Sequence, residues 1–218
     1  MNNKKNIYHI LDNTFLFEVT DMCNLSCPYC HNLPEKNTFM DFINFKKAIN
    51  ILKENGFCNI VLSGGEPLLH PNLKEMLVYL DTHNFNVTLV TNACLMDDAW
   101  INFILGCKNI TLQISLDGVD EKTNDILRGS GSYEKIIYVL NKLTESGYTG
   151  CTIRMTVSKI NYLQTKEVFD YAIEKGLNPK FAFVKNAGRA ISNWDDLALC
   201  LDDYDFVLKL FNPNSPKN

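Results

Sequence analysis

Cys23, Cys27 and Cys30 lie in the run Cys23-Asn24-Leu25-Ser26-Cys27-Pro28-Tyr29-Cys30, a CxxxCxxC spacing. Three thiolates are one short of the usual set for an iron-sulfur cube, so a 4Fe-4S cluster held here keeps one iron open. An open iron binds a small molecule, which points to chemistry at the cluster more than to electron storage alone.

Other chemistries use the same residues. Cys27-Pro28-Tyr29-Cys30 is a glutaredoxin-like dithiol, and with His31 it contains the CxxCH of a c-type haem attachment. Both leave Cys23 without a role, and a haem protein of that kind would be exported behind a signal peptide. Zinc with His31 as fourth ligand is a further choice, although the adjacent Cys30 and His31 have difficulty reaching one tetrahedral ion. A second informative run is Ser63-Gly64-Gly65-Glu66-Pro67. Two glycines let the backbone turn tightly and approach a ligand, leaving the Glu66 carboxylate for an ammonium group. Such a charge-assisted hydrogen bond contributes about 1.5–3 kcal/mol. A solvated glutamate after a strand is the alternative. Cys58, Cys94, Cys107, Cys151 and Cys200 form no second cluster and are expected to pack as small core hydrophobes.

These residues need a scaffold that gathers loops. Short β-branched and aromatic runs alternate with amphipathic stretches along the chain, the pattern of a parallel sheet with helical crossovers. Strands are expected at 15–20, 59–63, 86–91, 109–116, 152–158 and 180–184. Helices are expected at 41–55, 72–83, 97–105, 132–146, 163–175 and 202–211. In the 132–146 stretch Ile136, Ile137, Leu140 and Leu143 recur at helical spacing. Six units are fewer than the eight of a closed barrel of about 250 residues, so the expected α/β fold is a partial (β/α)6 barrel, open on one side. The cysteine loop, Ser63–Pro67, Thr91-Asn92 and Ser115–Gly118 all follow strand ends, where such folds place their sites. The division expected is a lead-in over 1–14, one core domain over 15–211 and a polar tail over 212–218, the last resembling an interrupted linker.

The 218 residues are 46% hydrophobic and 21% charged, an ordinary globular balance. A formal net charge of -4 gives no footprint for a nucleic-acid backbone. No apolar run approaches the roughly 20 residues of a membrane span, and no signal-peptide core follows Met1-Asn2-Asn3-Lys4-Lys5-Asn6. A cytoplasmic location is expected, with neither nucleic acid nor membrane as partner.

With its cysteine triad after the first strand and GGEP after the second, the chain resembles the radical S-adenosylmethionine (SAM) enzymes over residues 15–190. The resemblance implies a 4Fe-4S cluster on Cys23, Cys27 and Cys30 and SAM as cofactor. In that family SAM chelates the open iron and is cleaved reductively to a 5′-deoxyadenosyl radical that abstracts hydrogen from substrate. It further implies that Tyr29 lies beside the adenine and that Glu66, behind Gly64 and Gly65, takes the methionine amino group. Ser115 and Asp117 would line the SAM pocket, Arg128 would meet the SAM carboxylate, Asn92 would reach the ribose, and Phe183 and Val184 would offer backbone to adenine. Outside this set, Tyr29 packing under the loop, Asn92 as a turn residue, Ser115 and Asp117 capping a helix, and Arg128 in a surface ion pair are the structural alternatives.

A finer resemblance runs through Ser115-Leu116-Asp117-Gly118, Asn124-Asp125-Ile126-Leu127-Arg128-Gly129 and Gly188-Arg189-Ala190. It is similar to the SPASM/twitch branch of peptide maturases, with Asn124 where that branch often has histidine. That branch carries a cysteine-rich carboxyl-terminal extension, which this chain lacks. Truncation, a minimal enzyme and a partner supplying the missing surface are the three expectations. The implied substrate is a peptide or protein, and the implied electron source is a low-potential donor such as flavodoxin or ferredoxin. A small molecule as substrate, or a cluster-bearing subunit that only binds, are the alternatives. Tyr133, Lys185 and Arg189 are polar candidates near the open side.

Overall fold

The computed structural model describes residues 13–33 and 37–211. Most of the expected lead-in and the whole tail lie outside them. Six strands, β1 (Thr14–Glu18), β2 (Asn59–Ser63), β3 (Asn86–Thr91), β4 (Ile110–Ser115), β5 (Cys151–Val157) and β6 (Asn178–Phe183), form one sheet in sequential order. Every neighbouring pair is parallel, and β1 and β6 remain unpaired edges, as in the open partial barrel expected. The helices are α1 (Phe42–Glu54), α2 (Leu73–Thr82), α3 (Asp98–Leu105), α4 (Glu121–Arg128), α5 (Ser132–Glu145), α6 (Thr165–Glu174), α7 (Trp194–Leu197) and α8 (Leu201–Leu210).

The strands alternate in burial because one face carries the helices. In β5 the buried residues are Cys151, Ile153, Met155 and Val157, while Thr152, Arg154 and Thr156 between them are partly exposed. Phe45 and Ile49 of α1, Met76, Leu77 and Leu80 of α2, and Ile136, Val139, Leu140 and Leu143 of α5 complete the core. Asp41, Asp97 and Asp120 cap α1, α3 and α4, each accepting from the backbone N–H three residues on. The other sheet face is mostly polar, with Leu16, Val61 and Val90 among its side chains, and among the described residues no helix layer covers it. At its amino-terminal end, remote from the strand ends that carry the cysteine loop, a cavity of about 510 Å³ is lined by Asn59, Asn86, Thr88, Lys108 and Thr111, among others.

Three departures from the sequence expectation have physical causes. Helices α4 and α7 are absent from the expected elements: α7 is a single turn of four residues, and the buried side chains of α4 include Asn124 and Arg128 as well as Leu127, so polar burial leaves no apolar period. The cap of α4 is Asp120, so neither Ser115 nor Asp117 caps the helix. Among the cysteines outside the triad only Cys151 is buried; Cys58 and Cys200 are exposed, and Cys94 and Cys107 are partly so. Cys58 immediately precedes β2 and Cys200 sits at the amino terminus of α8, positions where connections reach solvent.

Candidate functional site

The cysteine loop follows β1 and is tied to four other strand ends. From the β2 end, Gly65 N donates to Thr20 O and Glu66 N to Met22 O, each at 2.7 Å. A Cβ on Gly64 would lie 2.2 Å from Thr20 O, and one on Gly65 would lie 2.0 Å from Met22 O. The two glycines therefore admit the close approach of the cysteine loop. From the β3 end, Asn92 Nδ2 donates to Asn24 Oδ1 at 2.9 Å and lies 3.9 Å from Cys23 Sγ. From the β4 end, Asp117 accepts from the Tyr29 hydroxyl. Beyond β6, Arg189 N donates to Cys30 O at 2.9 Å and Asn193 Nδ2 to Pro28 O at 3.1 Å. Gly188, at φ +58°, would place a Cβ 2.4 Å from Cys30 O. Within the loop Cys30 N donates to Cys27 O at 3.1 Å.

Asp117 is the buried hub beneath this loop. It is fully inaccessible, and Arg128 Nε lies 2.8 Å from its Oδ2 with the arginine only 6% exposed. The structure thus places Arg128 in a buried ion pair, the reverse of the surface pair considered above. Asp117 Oδ1 accepts from Thr156 N at 2.8 Å, its N–H donates to Asn124 Oδ1 at 3.0 Å, and its carbonyl accepts from Asn161 Nδ2 at 2.9 Å. Burial is the largest influence and opposes the Arg128 charge, but Asp117, Tyr29 and Cys27 together outweigh it and the guanidinium pKa is raised. Burial also drives the Tyr29 phenol pKa well up, so the hydroxyl remains a donor. Its ring packs with the small cluster of Leu127, Val184, Ala190 and Leu197, and the Arg128 guanidinium lies 5.9 Å from the ring centroid.

Glu66 is 1% exposed. Its Oε1 accepts from Thr91 Oγ1 at 2.7 Å and Leu68 N at 3.1 Å, and its Oε2 from Asn92 N at 2.7 Å. Burial raises its pKa against these three donors. The carboxylate thus fixes the β3 turn. Asn92 Oδ1 in turn accepts from Cys94 N, and Ala93 between them adopts φ +60°. Ser115 ends β4 partly exposed on the polar face, and Val184 N, just past β6, donates to Val157 O at 2.9 Å. Tyr133, expected near the open side, gives its hydroxyl to Val119 O at 2.5 Å, while Lys185 is exposed.

Residues 17–179 match the Radical SAM superfamily, a span that includes the cysteine loop, Glu66, Asn92, Asp117 and Arg128. The chain belongs to the radical SAM superfamily. It is 27% identical over 198 residues to mycofactocin maturase MftC of Mycobacterium tuberculosis, covering 88% of this chain and 51% of that protein. It is 27% identical over 179 residues to the sporulation killing factor maturation protein SkfB of Bacillus subtilis, covering 80% of this chain and 42% of that protein. The crystal structure of Streptococcus suis SuiB bound to S-adenosylmethionine superposes with a TM-score of 0.79 at 20% identity, over 92% of this chain and 47% of that one. That likeness shows the partial-barrel fold. The chain spans about half the length of the curated relatives it matches.

The radical SAM donor set fits a cluster. Cys23, Cys27 and Cys30 are free and half-buried, in a loop whose backbone is already held. Burial pushes the Cys23 and Cys27 thiols up, neighbouring thiolates add to this, and Arg128 lowers Cys27. Among the described residues no three His, Cys, Asp or Glu side chains converge on a single ion. One tetrahedral ion needs its sulfurs within about 4 Å of each other, whereas a cube takes one thiolate at each of three irons and keeps them further apart. Four positions around this radical SAM loop escaped the sequence reading as partners of the loop or hub: Asn24, Thr156, Asn161 and Asn193. Asn161 had a local signal, since Ser158 N donates to its Oδ1 in a turn directly after β5. Cys94, expected in the core, belongs here too; burial raises its pKa to about 11, with Arg128 and Cys27 among its electrostatic neighbours.

Proposed function

We propose that this chain is the catalytic core of a radical SAM enzyme that matures a peptide or protein. The observation that carries this is the cysteine loop, fixed by β2, β3, β4 and the turn beyond β6, with Cys27 electrostatically coupled to Arg128 and Asp117. When bound, a 4Fe-4S cluster with SAM supplies a 5′-deoxyadenosyl radical for hydrogen abstraction.

Cys23, Cys27 and Cys30 hold the cluster. The Tyr29 ring, with Val184 beside it, forms the apolar wall offered to adenine, and Ser115 is the polar group on the open face beneath. Arg128 carries the positive charge for the methionine carboxylate, held in place by Asp117. Glu66 braces Asn92 and the glycine turn, so that backbone carbonyls there meet the methionine amino group. The chain's task is to align the reactants and exclude water. A peptide substrate is supported by the maturases among its relatives and by SuiB having been crystallised with its precursor peptide SuiA. Thiolate ligation of a cluster suits a reducing cytoplasm, where a flavodoxin or ferredoxin can deliver the electron. Among the described residues no helix is long and apolar enough to cross a membrane.

The test is anaerobic reconstitution with iron and sulfide, reduction with dithionite in the presence of SAM, and chromatographic assay of 5′-deoxyadenosine. Wild type is expected to form it and Cys30→Ala to form none. A cluster that assembles yet leaves SAM intact overturns the catalytic assignment, and turnover confined to a nucleotide or other small molecule overturns the peptide.

A further inference from the structure

The uncovered face of the sheet carries two cations side by side. Arg154 of β5 stands opposite Lys180 of β6 in the parallel register, and Ser115 of β4 stands opposite Arg154 on the other side. Ile153 and Met155, the neighbours of Arg154, are fully buried in the helix-covered core, so Arg154 projects to the open face, where it is half-buried. Lys180 is exposed, and Phe181 next to it packs on the core side.

Neither cation has an ion pair or side-chain hydrogen bond among the described residues. Like charges directly opposite in a sheet destabilise it, and this pair occurs in a chain whose net charge is -4. On the same face Glu18 lies on β1, with β2, β3 and β4 between it and β5. Thr156, two residues beyond Arg154, donates its N–H to Asp117. Arg154 therefore lies one side-chain layer, about 7 Å along the strand, below the Tyr29–Asp117–Arg128 hub.

We infer that Arg154 and Lys180 form a carboxylate-binding pair that holds an acidic group of the substrate peptide on the open face beneath the reacting centre. This rests on the peptide reading above. The guanidinium supplies a planar fork for a bidentate contact and the ammonium a second charge, and one carboxylate between them relieves their mutual repulsion. An Asp or Glu side chain and a peptide carboxyl terminus share this chemistry.

The reconstituted protein is titrated into two random-sequence synthetic peptide pools bearing an uncharged dye, one containing Asp and Glu and one with Asn and Gln in their place. Each pool is made with free and with amidated carboxyl termini, and binding is read by fluorescence anisotropy. The free-terminus acidic pool is expected to bind wild type and to bind Arg154→Gln about tenfold or more weakly, with Lys180→Gln intermediate and Arg154→Lys partly restored. Retention after amidation assigns the contact to side chains; binding by the Asn/Gln pool only with a free terminus assigns it to the carboxyl terminus. Equal affinity of acidic and Asn/Gln pools when both are amidated, with no effect of a free terminus, overturns the inference. So does absence of binding by wild type, or unchanged acidic binding by Arg154→Gln. A raised KM for SAM in peptide-free 5′-deoxyadenosine formation, with peptide binding intact in Arg154→Gln, reassigns the cation to SAM and also overturns it. Failure of the radical reading appears separately, as no 5′-deoxyadenosine from wild type.

Discussion

Gly65 and Gly147 show how differently two glycines are constrained. Gly147 adopts φ +71° with nothing within 4 Å of the place a Cβ would take, whereas Gly65 would set a Cβ 2.0 Å from a backbone oxygen of the cysteine loop. Gly147→Ala is expected to cost about 1–2 kcal/mol, the strain of a left-handed residue with a side chain. Gly65→Ala must displace the backbone at Met22 and is expected to cost about 3 kcal/mol or more. It should also lower the iron bound on reconstitution, because the displaced backbone leads directly into Cys23. Urea unfolding and iron content of the two variants check this, and equal losses would show that the close approach carries no weight. At this scale the thiols were legible from spacing and the glycines from type. The reason for the glycines was not legible, because Met22 and Thr20 meet them only through the pairing of β1 with β2.

At the scale of elements, the corner between α4 and α5 is built on one carboxylate. Asp125 Oδ1 accepts from Tyr133 N and Ser132 Oγ at 2.8 Å each, and Oδ2 accepts from Gly131 N at 2.5 Å. Burial alone would raise its pKa, but these donors outweigh it and the folded value is lowered. An unfolded aspartate titrates near pH 3.9. The stabilisation is therefore complete above that value and is lost as pH falls through the lower folded pKa. The difference in urea midpoint between wild type and Asp125→Asn is expected to be widest above about pH 5 and to close in acid; a gap independent of pH would contradict this. The same corner shows why α4 was illegible while β5 was not. Alternation in β5 is written in Cys151, Ile153, Met155 and Val157, but Asn124 and Arg128 of α4 are buried by bonds to Ser132 and Asp117 that no apolar period records.

For the molecule as a whole, sequential strand order means that stability should decline from the middle of the sheet outward. β3 and β4 are paired on both sides, and β1 and β6 on one. Hydrogen exchange is expected to be slowest at amides such as Leu112 N, bonded to Gly150 O at 2.8 Å, and fastest along β6. Equal protection across all six strands would show instead that the sheet opens only as a unit. The strand count and the open architecture were legible because each unit repeats the same pattern; the convergence of the loops on Tyr29 and Cys27 was not, since it depends on how the sheet curves.

The cysteine loop takes its shape mainly from backbone and amide hydrogen bonds to glycine and asparagine turns, and only weakly from contacts through sulfur. Its geometry is thus held from outside the loop, by turns at the ends of β2 and β3 and beyond β6. The three sulfurs are placed by neighbours that a survey of cysteine spacing passes over, so iron lost after a substitution at Asn193 would report on scaffolding with every thiol intact.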